Sequence, residues 1–516
     1  MAEAVPTDPT IEEEEAEEGT PTHHPSAPSH EFFYLSTTVD PSYIISLIRK
    51  LLPVNSASES EVAPESPNQG SPTRNTEEVV VSNDENLKSS KNKSENMDVD
   101  LSAEFCHPRG DGNERPRVSV GEEAWEEYGC ILWDLAASKT HAELMVENLI
   151  LEVLSTNLFV CKSERVTEIS IGIIGNLACH EVPMKHIISI KGLIEIIVDK
   201  LFMDDPQCLC ETCRLLTVGL QSGESITWTE VLQSEHVLCQ ILWIAENTLN
   251  LQLLEKIIGL ILAILESQQK VVSALLPPMM KHGLANILIN LLSFEISKLM
   301  TERMPERYSI LDLILRAVEA LSVMDDHSQD ICSSTELFRL ICDLVKFPDK
   351  VEVGNCCVTA AVLIANMLSD VADHSSKISQ DLCLLDGLLD LFPFASDDEE
   401  ARNALWNVIA RILVRIRETE MSPSSVHHYV SVLVRKLDLI EDELLNQQAE
   451  SGHEKESLFS SSSTANARET SLGRMISILN QWTAGKENAE NVGNAEVPVS
   501  MTDVKRLLDC CHKFSK

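Results

Sequence analysis

Three asparagines have the chemistry to hold a polypeptide by its backbone. Asn176, Asn366 and Asn407 each stand inside an apolar, helix-spaced stretch. A primary amide carries two donors and an acceptor, enough to pair with both polar atoms of a peptide unit. Such contacts read the direction of an extended strand and leave its side chains unread. Asn366 and Asn407 lie about one unit apart if the unit is a repeat of roughly 40–47 residues, so they would present equivalent groups on successive units. The simpler role for the same side chains is to hydrogen-bond a neighbouring helix.

Other reactive groups are arranged less usefully. Cys208-Leu-Cys-Glu-Thr-Cys213 gathers three thiols, with His180 or His186 as a conceivable fourth zinc ligand. Reliable tetrahedral sites use paired C-x-x-C knuckles, and the sequence has no second pair. The three thiols therefore read as buried side chains of one helix, as do the pairs Cys356-Cys357 and Cys510-Cys511. His427-His428 follows Pro423 at a loop-to-helix junction and is expected to be solvated. Asp204-Asp205 and Asp325-Asp326 fall at helix joints, where capping and turn formation explain them. The sequence holds no Gly-rich phosphate loop, nucleophile elbow or His-Glu-x-x-His. No nucleophile, base and orienting group can be proposed together, so no enzyme activity, cofactor or metal is expected.

These residues must be positioned by helices. From Glu168 to Leu220 the pattern is helix, sharp turn, helix, acidic turn, helix, and its pieces recur near Gly283, Asn366 and Gly387. Each helix has one apolar stripe that only a neighbouring copy can cover. Three helices per unit, a Gly between short and long helices and an Asn inside the last helix predict an all-α fold. Specifically, they predict an armadillo/HEAT-like right-handed superhelical solenoid whose third helices line a concave groove. Armadillo repeats that read nuclear signals place a Trp four residues before the Asn. Here those positions are Gly172, Val362 and Asn403.

The repeat domain is expected over residues 121–445. Residues 1–120 form a largely disordered acidic arm, opening with Glu12-Glu-Glu-Glu15. The arm is interrupted by a short helix over 40–52, capped by Asp40 and started by Pro41. Its stripe of Ile44, Leu47, Ile48 and Leu51 is too short to stand alone in water. It docks on the solenoid or serves as a helix in a partner's groove. Residues 446–470 read as a flexible linker and 471–516 as two C-terminal amphipathic helices. Within 471–516, Leu472, Met475, Ile476, Leu479 and Trp482 share one face of the first helix, and Val504, Leu507, Leu508 and Cys511 one face of the second. Ser396 with Glu399 predicts a capping box for the helix that follows.

The charge balance narrows the partners. A net charge of −40 disfavours nucleic acid, whose phosphates require clustered Lys and Arg, and favours protein partners with basic or extended segments. Fifteen scattered cysteines read as reduced thiols. Met1-Ala-Glu-Ala-Val-Pro6 lacks the basic start and apolar stretch of a leader. The longest apolar run, Ile257–Leu265, falls short of the roughly 18 residues of a membrane helix, so no membrane contact is expected. Lys88, Lys91 and Lys93 form a weak import cluster interrupted by Ser and Asn. Ser94 is followed by acidic residues suited to directed phosphorylation.

Four blocks, in order, resemble one family: residues 129–136 (Gly-Cys-Ile-Leu-Trp-Asp-Leu-Ala), 168–179 (Glu-Ile-Ser-Ile-Gly-Ile-Ile-Gly-Asn-Leu-Ala-Cys), 201–209 (Leu-Phe-Met-Asp-Asp-Pro-Gln-Cys-Leu) and 211–222 (Glu-Thr-Cys-Arg-Leu-Leu-Thr-Val-Gly-Leu-Gln-Ser). The chain is similar there to the serum amyloid A-like protein 1 family, strongly over residues 121–270 and more weakly to 445. The long Asn-rich arm and the second C-terminal helix depart from it. The resemblance implies an armadillo-type fold, a mainly nuclear location with some cytoplasmic presence, a link to cell proliferation in animal members, and no enzyme activity. It does not extend to the small acute-phase apolipoprotein. The function expected is therefore a non-enzymatic protein–protein adaptor. The alternative is a regulatory or chaperone-like subunit engaged through its short N-terminal helix.

Overall fold

A computed structural model of the chain describes residues 39–52, 120–371, 378, 381–415, 421–451, 462–487 and 499–515. Every regular element among them is helical, and the helices fall into successive groups. Helix α1 (Pro41–Lys50) precedes α2 (Val120–Ala136). Three-helix units then follow: α3 (Lys139–Glu147), α4 (Ile150–Val160) and α5 (Glu164–Ala178); α6 (Glu181–Ser189), α7 (Leu193–Asp199) and α8 (Pro206–Gln221); α9 (Ser225–Leu232), α10 (Glu235–Asn247) and α11 (Leu251–Leu265). Next come α12 (Gln269–Lys281), α13 (Leu284–Thr301) and α14 (Tyr308–Ser322), then α15 (Ser328–Cys332), α16 (Thr335–Val345) and α17 (Gly354–Asp370). After α18 (Leu382–Leu389) and α19 (Glu399–Val414) the chain continues through α20 (Pro423–Arg435), α21 (Leu437–Ser451), α22 (Ser462–Glu487) and α23 (Met501–Phe514).

The third helices make one continuous stack: α2, α5, α8, α11, α14, α17, α19 and α22, each packed on the next. Second helices form a parallel row, α10 on α13 and α13 on α16. This is an all-α helical-repeat solenoid. The sequence dictates the stacking because Leu and Ile surround much of each third helix. In α11, Leu253, Leu254, Ile257, Ile258, Leu260, Ile261, Leu262, Ile264 and Leu265 are all buried. Each such side chain contributes roughly 1.5–3 kcal/mol when removed from water, and only a neighbour on either side can remove them all.

Joint chemistry repeats with the units. Four helices of the stack, α5, α8, α11 and α19, open on an N-cap whose side chain accepts from the backbone: Ser163 from Val166, Asp205 from Cys208 at 2.7 Å, Asn250 from Leu253 at 3.0 Å and Asp398 from Ala401 at 3.0 Å. Second helices α7 and α13 are entered through left-handed Gly192 (φ 84°) and Gly283 (φ 94°). Three sequence expectations change here. The cap before α19 is Asp398, because Ser396 is taken up by the end of the tight turn Phe392–Ala395. Gly387 lies within α18, where an added Cβ would stand 2.4 Å from the Val345 carbonyl oxygen. The stretch expected as linker is helical at both ends, since α21 runs to Ser451 and α22 begins at Ser462.

The ends are closed by helices of the chain itself. Helix α1 packs on α2 and α3 with Ile44, Leu47, Ile48 and Leu51 buried. The Leu51 carbonyl at its C-terminal end accepts from Trp125 Nε1 at 3.1 Å and Asn157 Nδ2 at 3.2 Å. At the far end Leu472, Met475, Leu479 and Trp482 of α22 are buried, and Val504, Leu507 and Cys511 of α23 seat against α20, α21 and α22. Helix α13 has the length and composition of a membrane span, with a mean hydropathy of 1.2 over 18 residues. Within the solenoid it packs on α10, α14 and α16 and buries Glu295, which accepts from Arg307 Nε at 2.7 Å and Nη2 at 2.5 Å.

Candidate binding face

The third helices stack in succession, so their solvent edges bring polar side chains of successive units side by side. Side chains from one helix fasten the backbone of the helix before it, across one repeat. Asn176 Nδ2 donates to the Trp133 carbonyl at 3.0 Å, Arg214 Nη2 to that of Gly172 at 3.2 Å, and Arg411 Nη1 to that of Leu368. These bonds span 43, 42 and 43 residues, so the sequence register of the repeat is also its hydrogen-bond register. Gly172 allows the close approach: a Cβ there would lie 2.2 Å from the Trp133 ring.

The three candidate asparagines are thereby accounted for locally. Asn176 bonds α2, Asn366 Nδ2 donates to Ser322 Oγ of α14 at 2.9 Å, and Asn407 Nδ2 donates within its own helix to the Asn403 carbonyl at 2.9 Å. All three are partly buried. Two act as rungs between third helices, and a bound backbone would compete with those bonds. Of the two roles open to the N-terminal helix, the structure holds the docked one. Ile44, Leu47, Ile48 and Leu51 cannot serve as a stripe for a partner while they fill the chain's own first groove.

Charge along the stack follows a profile that sequence reading missed. In the first three units each third helix carries an internal ion pair: Arg165 with Glu168 at 2.6 Å, Arg214 with Glu211 at 2.7 Å, Lys256 with Glu255 at 3.0 Å. Helix α14 breaks the pattern. Its Arg316 reaches back to Glu266 at 2.8 Å, leaving Asp312 and Glu319 without an ion-pair partner among the described residues. Burial raises the pKa of both carboxyls, and the nearby charges of Glu400 and Asp398 raise that of Glu319 further. Helix α17 then offers uncharged Asn355, Thr359 and Asn366, and α19 offers Arg411 and Arg415. The one hint in the sequence was Asp312 between Leu311 and Leu313, an ionisable group inside an apolar helix.

The thiols behave as core. Cys208, Cys210 and Cys213 are buried, Cys208 Sγ donates to the Glu164 carbonyl, and burial pushes the Cys210 thiol up to about 11. Asp205 is the N-cap expected of it. His427, expected to be solvated, instead accepts from Trp482 Nε1 at 3.2 Å on its Nδ1 and helps seat α22. The acidic run near the N-terminus, the Lys88–Lys93 cluster and Ser94 lie outside the described residues.

Comparison with known proteins gives a partial match. The chain is 25% identical to Protein saal1 of Danio rerio over 232 residues, 43% of this chain and 48% of that protein. It is 29% identical to Protein SAAL1 of Homo sapiens over 152 residues, 29% of this chain and 32% of that protein. It is SAAL1-like over part of its length. The matched stretch spans less than half of each of these relatives, and no protein-family model matches the chain. Among solved structures, an engineered protein aligns over 76% of this chain and 86% of its own at 15% identity and a TM-score of 0.46. A designed armadillo repeat protein aligns over 48% and 95% at 13% identity and a TM-score of 0.38. The SAAL1-like match joins a repeat scaffold seen directly in the helix stack to relatives whose names specify no reaction.

Proposed function

We propose that this chain is a non-enzymatic scaffold that holds an extended protein segment along its third-helix face, with a basic side chain of that segment seated against Asp312 and Glu319. One observation carries the reading. In each preceding unit a third-helix carboxylate that is not fully exposed has a cation beside it, Glu168, Glu211 and Glu255 in turn, whereas these two are partly buried, raised in pKa by desolvation, and left without an ion pair among the described residues. A Lys or Arg supplied from outside would complete what the fold leaves open, and a net charge of −40 would speed the encounter.

The arrangement makes a paired prediction. A folded-state pKa above the unfolded value means that the native state binds protons more tightly. These two groups therefore lower stability at neutral pH, and their penalty disappears as pH falls below the ordinary carboxylate range. Asp312→Asn and Glu319→Gln should raise the Tm at pH 7 while weakening a Lys-rich octapeptide by about tenfold each, measured by fluorescence anisotropy. Arg316, Glu400 and Asp398 face the same groups and are left in place. Unchanged affinity in both variants would sink the reading.

A nuclear location and a link to cell proliferation, both implied by the family resemblance, belong to the same proposal. Full-length tagged protein should concentrate in nuclei, and a wholly cytoplasmic distribution would remove that part.

A further inference from the structure

The last two third helices, α19 and α22, part at their solvent edge around a cavity of about 340 Å³. Its walls carry donors and cations: Asn407, Arg411 and Arg415 from α19, Asn466 and Thr470 from α22, with Ala467 leaving the room between them. Asn407, Arg411 and Arg415, the last being the C-cap of α19 in helical backbone conformation, succeed one another at single-turn spacing and so share one face. Arg411 is anchored at the end of α17, donating to the Leu368 carbonyl and, at 3.1 Å, to Ser369 Oγ. A guanidinium has five N–H groups, so donors remain for the cavity. Arg415 is exposed and has no ion pair among the described residues. Thr470 Oγ1 donates to the Asn466 carbonyl at 2.6 Å and lies 3.3 Å from its Oδ1, and the Asn466 side-chain N–H groups have no partner among the described residues.

Two guanidinium groups one turn apart, with no carboxylate among the described residues that line the cavity, are unexpected in a chain with almost twice as many acidic as basic residues (81 against 41). Desolvation, with the Arg415 charge second, holds the Arg411 guanidinium below its ordinary range, so the cations disfavour each other as they stand. A bound anion would relieve both. Two full positive charges with amide donors between them match a dianion with three acceptor oxygens better than a single carboxylate.

We propose that this cavity is an oxyanion site for the phosphate of a phosphoserine or phosphothreonine carried by the segment bound along the third-helix face. This rests on the reading above for the identity of the segment, though not for the presence of the anion site. The cavity and the Asp312–Glu319 seat are separated by between two and three helix spacings. At about 8–10 Å per spacing, and about 3.3 Å per extended residue, the basic and phosphorylated residues should stand roughly six to eight residues apart.

The test uses the full chain and labelled peptides with two lysines at one end and phosphoserine seven residues away, in both chain orders, each beside its serine twin. Anisotropy should show the phosphopeptide of one order binding about tenfold tighter than its twin. Arg415→Gln should abolish that preference, so that the phosphopeptide and its serine twin bind alike, whereas Asp312→Asn should weaken both twins and keep the ratio between them. A separate arm compares melting in sodium phosphate and in sodium chloride at matched ionic strength. Phosphate should raise the Tm of the wild type more than that of Arg415→Gln. Equal binding of the twins in both orders overturns the phosphopeptide site, even if Asp312 still matters. Equal phosphate effects on wild type and Arg415→Gln overturn the anion site itself. Failure of all peptides with a surviving phosphate difference removes the peptide reading and leaves a site for free phosphate.

Discussion

Leu149 holds a left-handed backbone, φ 65°, at the joint before α4, the position that Gly192 and Gly283 fill before α7 and α13. An L-residue there carries a strain of about 1–2 kcal/mol that glycine escapes, offset in part by the looser unfolded chain. Leu149 is 59% exposed, so its side chain contributes little packing. Leu149→Gly should therefore stabilise the chain by up to about 1 kcal/mol in urea titration. A loss of stability would mean that the exposed leucine has a role in packing that its exposure hides. Gly172 makes the opposite case. A methyl group there meets the Trp133 ring, and Gly172→Ala should destabilise by about 1–3 kcal/mol, with a shift in Trp fluorescence as the ring moves.

At the scale of elements, the sequence showed what is local and hid what crosses a repeat. Aliphatic spacing located helices such as α1, α5, α8, α19 and α22, and Asp40 and Asp205 were legible caps because the capped N–H lies only two or three residues on. Ser396 and Asp398 both precede Glu399 closely, and only the tight turn at Phe392–Ala395 decides between them. Arg411 stands in the last turn of α19, yet its partners are Leu368 and Ser369, 43 and 42 residues back. The pairing of Trp482 with His427 spans 55 residues, and no local pattern marks it. Helix α1 was legible as a helix but ambiguous in role, since an apolar stripe says only that something must cover it. The structure supplies the cover, and with it a prediction. Leu47→Asp with Ile48→Asp would place two carboxylates against α2 and α3. It should lower the Tm and speed amide exchange in α2 to α4, while α11 to α17 keep wild-type protection. Normal protection in α2 to α4 would show that the docked helix is dispensable and return it to the partner role.

Over the whole molecule, the solenoid is held by neighbours and not by one shared centre, so damage should spread only a short way. Helices α22 and α23 close the C-terminal end. Arg474 donates to the Val414 carbonyl at 3.0 Å and Ser471 Oγ to that of Trp406 at 3.4 Å, while Leu472, Met475 and Leu479 are buried in the same interface. Removing residues 462–516 uncovers the apolar side of α19 and leaves its last carbonyls without those donors. Hydrogen exchange followed by mass spectrometry should then show protection lost in α19 to α21 and reduced in α17, with α5, α8 and α11 unaffected. The same truncation removes one wall of the arginine cavity, so it should abolish any preference for a phosphorylated peptide and retain the Asp312-dependent binding of a basic one. Loss of protection along the entire stack in one step would mean that the units fold as a single cooperative body. In that case the charge seats at α14 and α19 could not be treated as separable sites.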